Sequence, residues 1–157
     1  NEVFMQNNQN RELKEFNRLY REMDGLYHMI ALNAGLSDSA MFILYALAEM
    51  GGGCLQKDIA ASYGISRQTI NSATKKLERE GILTLTRGRK RDMHMHLTAA
   101  GEVLVKEKIF PIMELENSGF DLMTSEESRE MLRLTAKYLL LFKEQCIAAC
   151  RKSENKQ

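Results

Sequence analysis

The stretch from Leu55 to Thr98 constrains this chain most, because three local signals follow one another there in an order that few folds admit. Leu55-Gln-Lys-Asp-Ile-Ala-Ala-Ser-Tyr63 places Leu55, Ile59, Ala60 and Tyr63 on one face at helical spacing and stops at Gly64. A glycine there can take the left-handed conformation that ends a helix without a steric penalty. Ser66 then offers a hydroxyl to cap a second helix. Its inner stripe is Ile70, Ala73, Thr74 and Leu77, and its opposite face carries Gln68, Asn71, Ser72, Lys75 and Arg79. Glu80-Gly81 closes that helix. Ile82 to Thr86 alternates as a half-buried strand does, Arg87-Gly-Arg-Lys-Arg91 forms a basic tip, and Asp92 to Thr98 alternates again. In this second run Met93, Met95 and Leu97 share one face, and His94, His96 and Thr98 the other.

A small residue (Ala60), a turn glycine (Gly64) and a branched anchor (Ile70) stand at the offsets where two short helices cross closely. Followed by a β-hairpin, they predict a winged helix-turn-helix. The charge distribution agrees. The formal total is only +1, yet residues 55–98 carry nine Lys/Arg against four Asp/Glu, so the rest of the chain is net acidic. Positive charge concentrated on one motif is the footprint of a polyanion site, although a basic run such as 87–91 also suits a solvated loop.

Around this motif lie longer helices. Residues 9–34 repeat Leu13, Phe16, Leu19/Tyr20, Met23, Tyr27 and Ile30 at three- and four-residue spacing and end at Gly35. Ser37 or Asp38 can cap the next helix, which carries Ile43, Leu44, Leu47 and Met50 before Gly51-Gly-Gly53. After the hairpin, residues 99–117 read as helix, with Pro111 expected to kink or break it and Ser118-Gly119 marking a turn. Thr124-Ser-Glu-Glu127 forms a capping box for a last helix with Leu132, Thr135, Tyr138/Leu139, Phe142 and Cys146 along one side; Lys152 to Gln157 is expected to fray.

At these residues the chain resembles the MarR family of bacterial transcription regulators. The resemblance is carried by Leu55-Gln-Lys-Asp-Ile-Ala, Gly64-Ile-Ser-Arg-Gln-Thr-Ile, Lys76-Leu-Glu-Arg-Glu-Gly-Ile-Leu and Leu97-Thr-Ala-Ala-Gly101, and spans roughly residues 10–150. One departure stands out: family members usually place an Asp before the wing arginines, where this chain has Arg89, and Asp92 follows them. The resemblance implies a dimer, with ligands bound between the DNA-binding lobe and the dimerisation helices.

The expected architecture is therefore mainly α with a small β-hairpin wing, one MarR-like domain over 1–157. Within it, 36–98 form the winged helix-turn-helix lobe, and 9–34 and 99–150 the dimerisation helices. At 157 residues and 44% hydrophobic, the chain can bury an ample core. Its apolar runs are too short to span a membrane and Asn1 to Asn10 lack a secretory leader pattern, so a cytoplasmic location is expected.

No convergent set of reactive groups suggests an enzyme, and no cofactor or metal is expected. His28 reads as a core or pocket residue of the first helix. His94 and His96 could form an H-x-H metal pair with Asp92 as the third ligand. Cys54, Cys146 and Cys150 are an odd count and imply no disulfide framework; among them Cys54, just before a helix, has the best claim to a lowered thiol pKa and a redox role. The ten methionines suit either an adaptable surface or ordinary packing.

The leading reading is a dimeric, sequence-specific DNA-binding regulator, a repressor of its own or neighbouring genes released by a small-molecule effector, on a pseudo-palindromic duplex operator. Base reading falls to Gln68, Asn71 and Arg67, and phosphate contact to Ser66, Thr69, Ser72, Lys75 and Arg79. The wing cations Arg87, Arg89, Lys90 and Arg91 complete the face, with Arg89 and Arg91 directed to the adjacent minor groove. The alternatives are a winged-helix protein-interaction module and a metal- or redox-responsive regulator.

Overall fold

The computed structural model describes residues 10–51, 53–88 and 92–154. In chain order these form α1 (Arg11–Asn33), α2 (Asp38–Met50), β1 (Cys54–Leu55), α3 (Gln56–Ser62), α4 (Arg67–Arg79), β2 (Leu83–Arg87), β3 (Met93–Leu97), α5 (Ala99–Leu104), a π-helical turn (Val105–Ile109), α6 (Phe110–Asp121) and α7 (Ser125–Glu154). The protein is mainly α with a small antiparallel sheet, as the sequence predicts. The chain divides into two units, residues up to 112 and residues from 113.

In the first unit, caps and closures set the helix limits. Asn10 caps α1 by accepting from Leu13 N, and Ser37 rather than Asp38 caps α2 by accepting from Ala40 N. Three helices end in one hydrogen-bonding pattern: Leu36 N–H donates to Ala31 O, Ile65 N–H to Ala60 O and Ile82 N–H to Leu77 O, at 2.9, 3.1 and 2.9 Å. Such a closure needs a left-handed residue, and Gly64, with φ of +61°, supplies it between α3 and α4.

The core lies between α2, α4, the sheet and the π turn. Met41, Ile43, Leu44 and Leu47 of α2 are buried with Ile59, Ile70, Leu77, Leu83, Met95 and Ile109. Full burial of each such side chain contributes about 1.5–3 kcal/mol as an upper bound. Thr74, the one buried polar residue among those described, donates its hydroxyl to Ile70 O at 2.7 Å and meets Met95 Sδ at 3.5 Å, so no polar atom of that side chain is stranded.

The sheet has three strands in the order β1-β3-β2, where the sequence suggests only a hairpin. β2 and β3 pair from Leu83↔Leu97 to Arg87↔Met93, and Cys54↔Met95 and Leu55↔His94 add the short β1 on the other side of β3.

The irregularity expected at Pro111 takes the form of a π turn: just before the proline the backbone widens to a five-residue hydrogen bond, Phe110 N–H to Val105 O, which makes room for the ring and lets helix continue into α6. One expectation nearby is corrected: Ser118-Gly119 is no turn, since both lie in α6, Ser118 Oγ donates to Leu115 O at 2.7 Å, and the chain turns at residues 122–124.

In the second unit the capping box forms as expected. Thr124 N–H donates to Glu127 Oε2 at 2.8 Å and Glu127 N–H to Thr124 Oγ1 at 3.2 Å. The Thr124 N–H and hydroxyl hold the Glu127 carboxyl below its usual range, so its contribution to the cap is present above the ordinary carboxylate value and fades as pH falls through the lowered one. α7 then runs helical to Glu154, past the expected fraying point, with Leu132, Tyr138, Leu139, Leu141 and Phe142 all exposed. α1 likewise exposes Phe16, Leu19, Tyr20, Met23 and Leu32.

Candidate nucleic-acid interface

Helix α4 divides into an anchored side and a free side. Ile70, Thr74 and Leu77 are buried, while Arg67, Gln68, Asn71, Ser72, Lys75 and Arg79 are exposed, as the periodicity predicts. Ser66 caps it: its Oγ accepts from Thr69 N at 3.0 Å and bonds Thr69 Oγ1 at 2.8 Å, so the two hydroxyls assigned to phosphate are engaged with each other. Ser66→Ala is expected to lower stability by about 1 kcal/mol, the usual worth of a cap, seen as a lower urea midpoint at unchanged slope. Ser66→Asp should restore it.

Arg67, Gln68 and Asn71 converge with Leu55, Gln56, Lys57, Asp92 and Met93 on one cleft of about 490 Å³. Its walls are the start of α3, the first turns of α4 and the base of the wing. Ser72, Lys75 and Arg79 lie along the exposed face outside that cleft, and Arg87 is exposed at the end of β2. Arg89, Lys90 and Arg91 lie outside the described residues.

Sequence reasoning missed three residues here. Gln56 places its Nε2 in the protein without solvent exposure or a hydrogen-bond partner. Lys57 Nζ donates to Asp92 Oδ2 at 2.8 Å across 35 positions. Polar residues at the start of a helix are the only local signal for Gln56 and Lys57, and nothing local links Lys57 to Asp92.

The sensor alternatives find little support in the geometry. Asp92 is engaged by Lys57 and makes no ligand set with the histidines. His94 Nδ1 donates to Gly53 O at 2.8 Å and His96 Nε2 bonds Thr86 Oγ1 at 2.9 Å, their rings stacked 6.4 Å apart. No group of three His, Cys, Asp or Glu able to hold a metal occurs among the described residues. His28 is no core residue: it is exposed and pairs with Asp38 at 2.9 Å. Cys54 is also corrected. It sits in β1, buried, its Sγ 3.8 Å from Ala46 O, and burial pushes its thiol up rather than down, with the Asp58 carboxylate adding to the rise. Cys146 and Cys150 are exposed on α7.

A two-helix motif with an anchored second helix, followed by a wing that packs against the first, defines a winged helix-turn-helix protein. Residues 34–91 match the model of the MarR family, which spans α2 through β2. Solved structures agree over most of the chain. A MarR family regulator from Neisseria meningitidis, NMB1585, superposes with a TM-score of 0.73 at 19% identity, covering 85% of this chain and 96% of that one. The S. aureus MepR in its DNA complex gives 0.68 at 21%, covering 85% and 99%. Bordetella bronchiseptica BpsR, whose DNA binding is regulated by 6-hydroxynicotinic acid, gives 0.62 at 20%, covering 79% and 98%. No curated protein matches the chain. The chain is thus similar to the MarR family over its winged-helix segment and shares its fold with MarR family structures over most of its length. Among the described residues no single helix is long and apolar enough to cross a membrane.

Proposed function

We propose that this chain is a sequence-specific DNA-binding transcription regulator that acts as a homodimer on a pseudo-palindromic operator, as a repressor released by a small molecule. The observation that carries this reading is α4: Ile70, Thr74 and Leu77 fix the helix in the core while Arg67, Gln68 and Asn71 face outward at the wing's base. A helix so held can enter a major groove without loosening its own packing. Gln68 and Asn71 then meet base edges, Arg67 joins them, and Lys75, Ser72 and Arg79 lie toward the backbone. The wing residues Arg87, Arg89, Lys90 and Arg91 reach the neighbouring minor groove. The fold is shared with MepR, solved on DNA, and with BpsR, whose DNA binding responds to a small ligand, and both support the regulator and effector parts of the reading.

Dimerisation is supported by the exposed apolar residues of α1 and α7, which a second copy would cover. A two-fold axis would set two α4 helices one duplex turn, about 34 Å, apart.

The deciding test compares Asn71→Ala with Lys75→Ala on a duplex selected by the protein from a random-sequence library and on its scrambled version, at one fixed salt concentration. Asn71→Ala is expected to weaken the selected duplex by about tenfold and leave the scrambled one nearly unchanged, because an amide pairing with adenine discriminates by about 1–3 kcal/mol. Lys75→Ala is expected to weaken both together, because a phosphate contact carries no base information. If neither duplex is retained even at low salt, the interaction-module alternative replaces this reading.

A further inference from the structure

Asp92 poses a problem on a face meant for a polyanion, since a carboxylate beside the backbone of a duplex is repelled by it. Its surroundings give a reason for it. The side chain pairs with Lys57 Nζ at 2.8 Å, and its main-chain carbonyl accepts from Gly88 N–H at 2.7 Å, closing the hairpin just below the basic tip. Asp92 is thus joined through its backbone to the wing and through its side chain to α3. Both partners are part-exposed, with side-chain exposures of 46% for Lys57 and 32% for Asp92. Such a pair adds little to overall stability. It nevertheless joins elements 35 positions apart in sequence, whereas pairs such as Arg18–Glu15 and Arg133–Glu130 lie within single helices. It also stands on the wall of the cleft that holds Arg67, Gln68 and Asn71.

We propose that Lys57 and Asp92 are positioning residues: their ion pair fixes the base of the wing, where Gly88 and Asp92 close the hairpin, against α3 and so sets how the base-reading residues of α4 stand relative to that base, making it a determinant of operator specificity. This rests on the DNA-binding reading above. Holding helix and wing at one separation rewards duplexes whose major and minor grooves present phosphates and bases at that separation, and penalises others.

Charge alone predicts the opposite sign for one of the two variants, which makes the idea testable. Asp92→Asn removes a negative charge from the binding face, so simple electrostatics would raise affinity for every duplex. The positioning role predicts instead that Asp92→Asn lowers the ratio of selected-duplex to scrambled-duplex affinity by about tenfold, and that Lys57→Gln lowers that ratio similarly. The exchanged pair, Lys57→Asp with Asp92→Lys, should regain most of the ratio. Amide exchange at Gly88 and Met93 in the protein without DNA should quicken in both single variants and slow again in the exchanged pair. Asp92→Asn strengthening both duplexes alike, Lys57→Gln weakening both alike, or an exchanged pair that regains neither ratio nor protection would each overturn the proposal. Failure of the unaltered chain to bind any duplex at low salt would overturn the DNA-binding reading and this inference with it; binding with an unchanged ratio in the variants overturns the inference alone.

Discussion

Gly101→Ala is expected to cost about 3 kcal/mol or more and to lower the urea midpoint accordingly. Gly101 is buried in the first turn of α5, and a Cβ there would fall inside contact distance of the Ile82 carbonyl oxygen, with Leu97 Cδ2 3.1 Å away on another side. The obstacle is backbone, and it is held: Ile82 O accepts from Thr98 N at 3.0 Å and from Thr98 Oγ1 at 3.1 Å. Making room would break the bonds by which the wing's return strand meets α5. Gly119→Ala is the internal comparison, for it lies in α6 with open space where the Cβ would go, and should stabilise by about 0.5–1 kcal/mol. Equal midpoints for Gly101→Ala and the unaltered chain would show that α5 does not pass the Ile82 backbone so closely.

On the homodimer proposed above, Leu139→Glu combined with Phe142→Glu should leave a monomer and weaken the selected duplex by about a hundredfold or more. Leu139 is 59% and Phe142 56% exposed, so neither charge is forced into a core, and the helix itself has no reason to melt. What the proposed dimer would lose is burial against a second copy, and with it the effective concentration that would join two modest half-site contacts into one tight complex. Sedimentation of the variant beside the unaltered chain reads the assembly, and duplex titration the affinity. A variant that stays dimeric would place the dimer contact on other residues than these.

The parts of this fold legible in the sequence are those whose cause is local. The burial of Ile70, Thr74 and Leu77 follows from a 3.6-residue period, the Ser66 cap and the Thr124–Glu127 box from side chains three residues from the groups they satisfy, and the paired strands from alternation around a basic tip. The parts missed depend on residues far apart in the chain. Two residues, Cys54 and Leu55, have no period to reveal a strand, and only their pairing with Met95 and His94 makes them one. That same pairing buries Cys54 and reverses the expected direction of its thiol pKa. Pro111 was legible as a disturbance, but the sequence does not show that a π turn absorbs it. At the interface, the outward face of α4 was readable, whereas the convergence of Lys57 and Asp92 on the same cleft was not.

The strand order β1-β3-β2 leaves the sheet with two edges of unlike character. One belongs to β1, which at two residues is too short to template a neighbour. The other belongs to β2, five residues long, with Thr84, Thr86 and Arg87 exposed along it and the basic tip immediately beyond. An extended chain adding to that edge from another copy would bring like charges together, a cost that short, cationic edge strands impose on sheet growth. The cations that suit the wing to a polyanion thus also discourage wings from stacking on one another in a crowded solution.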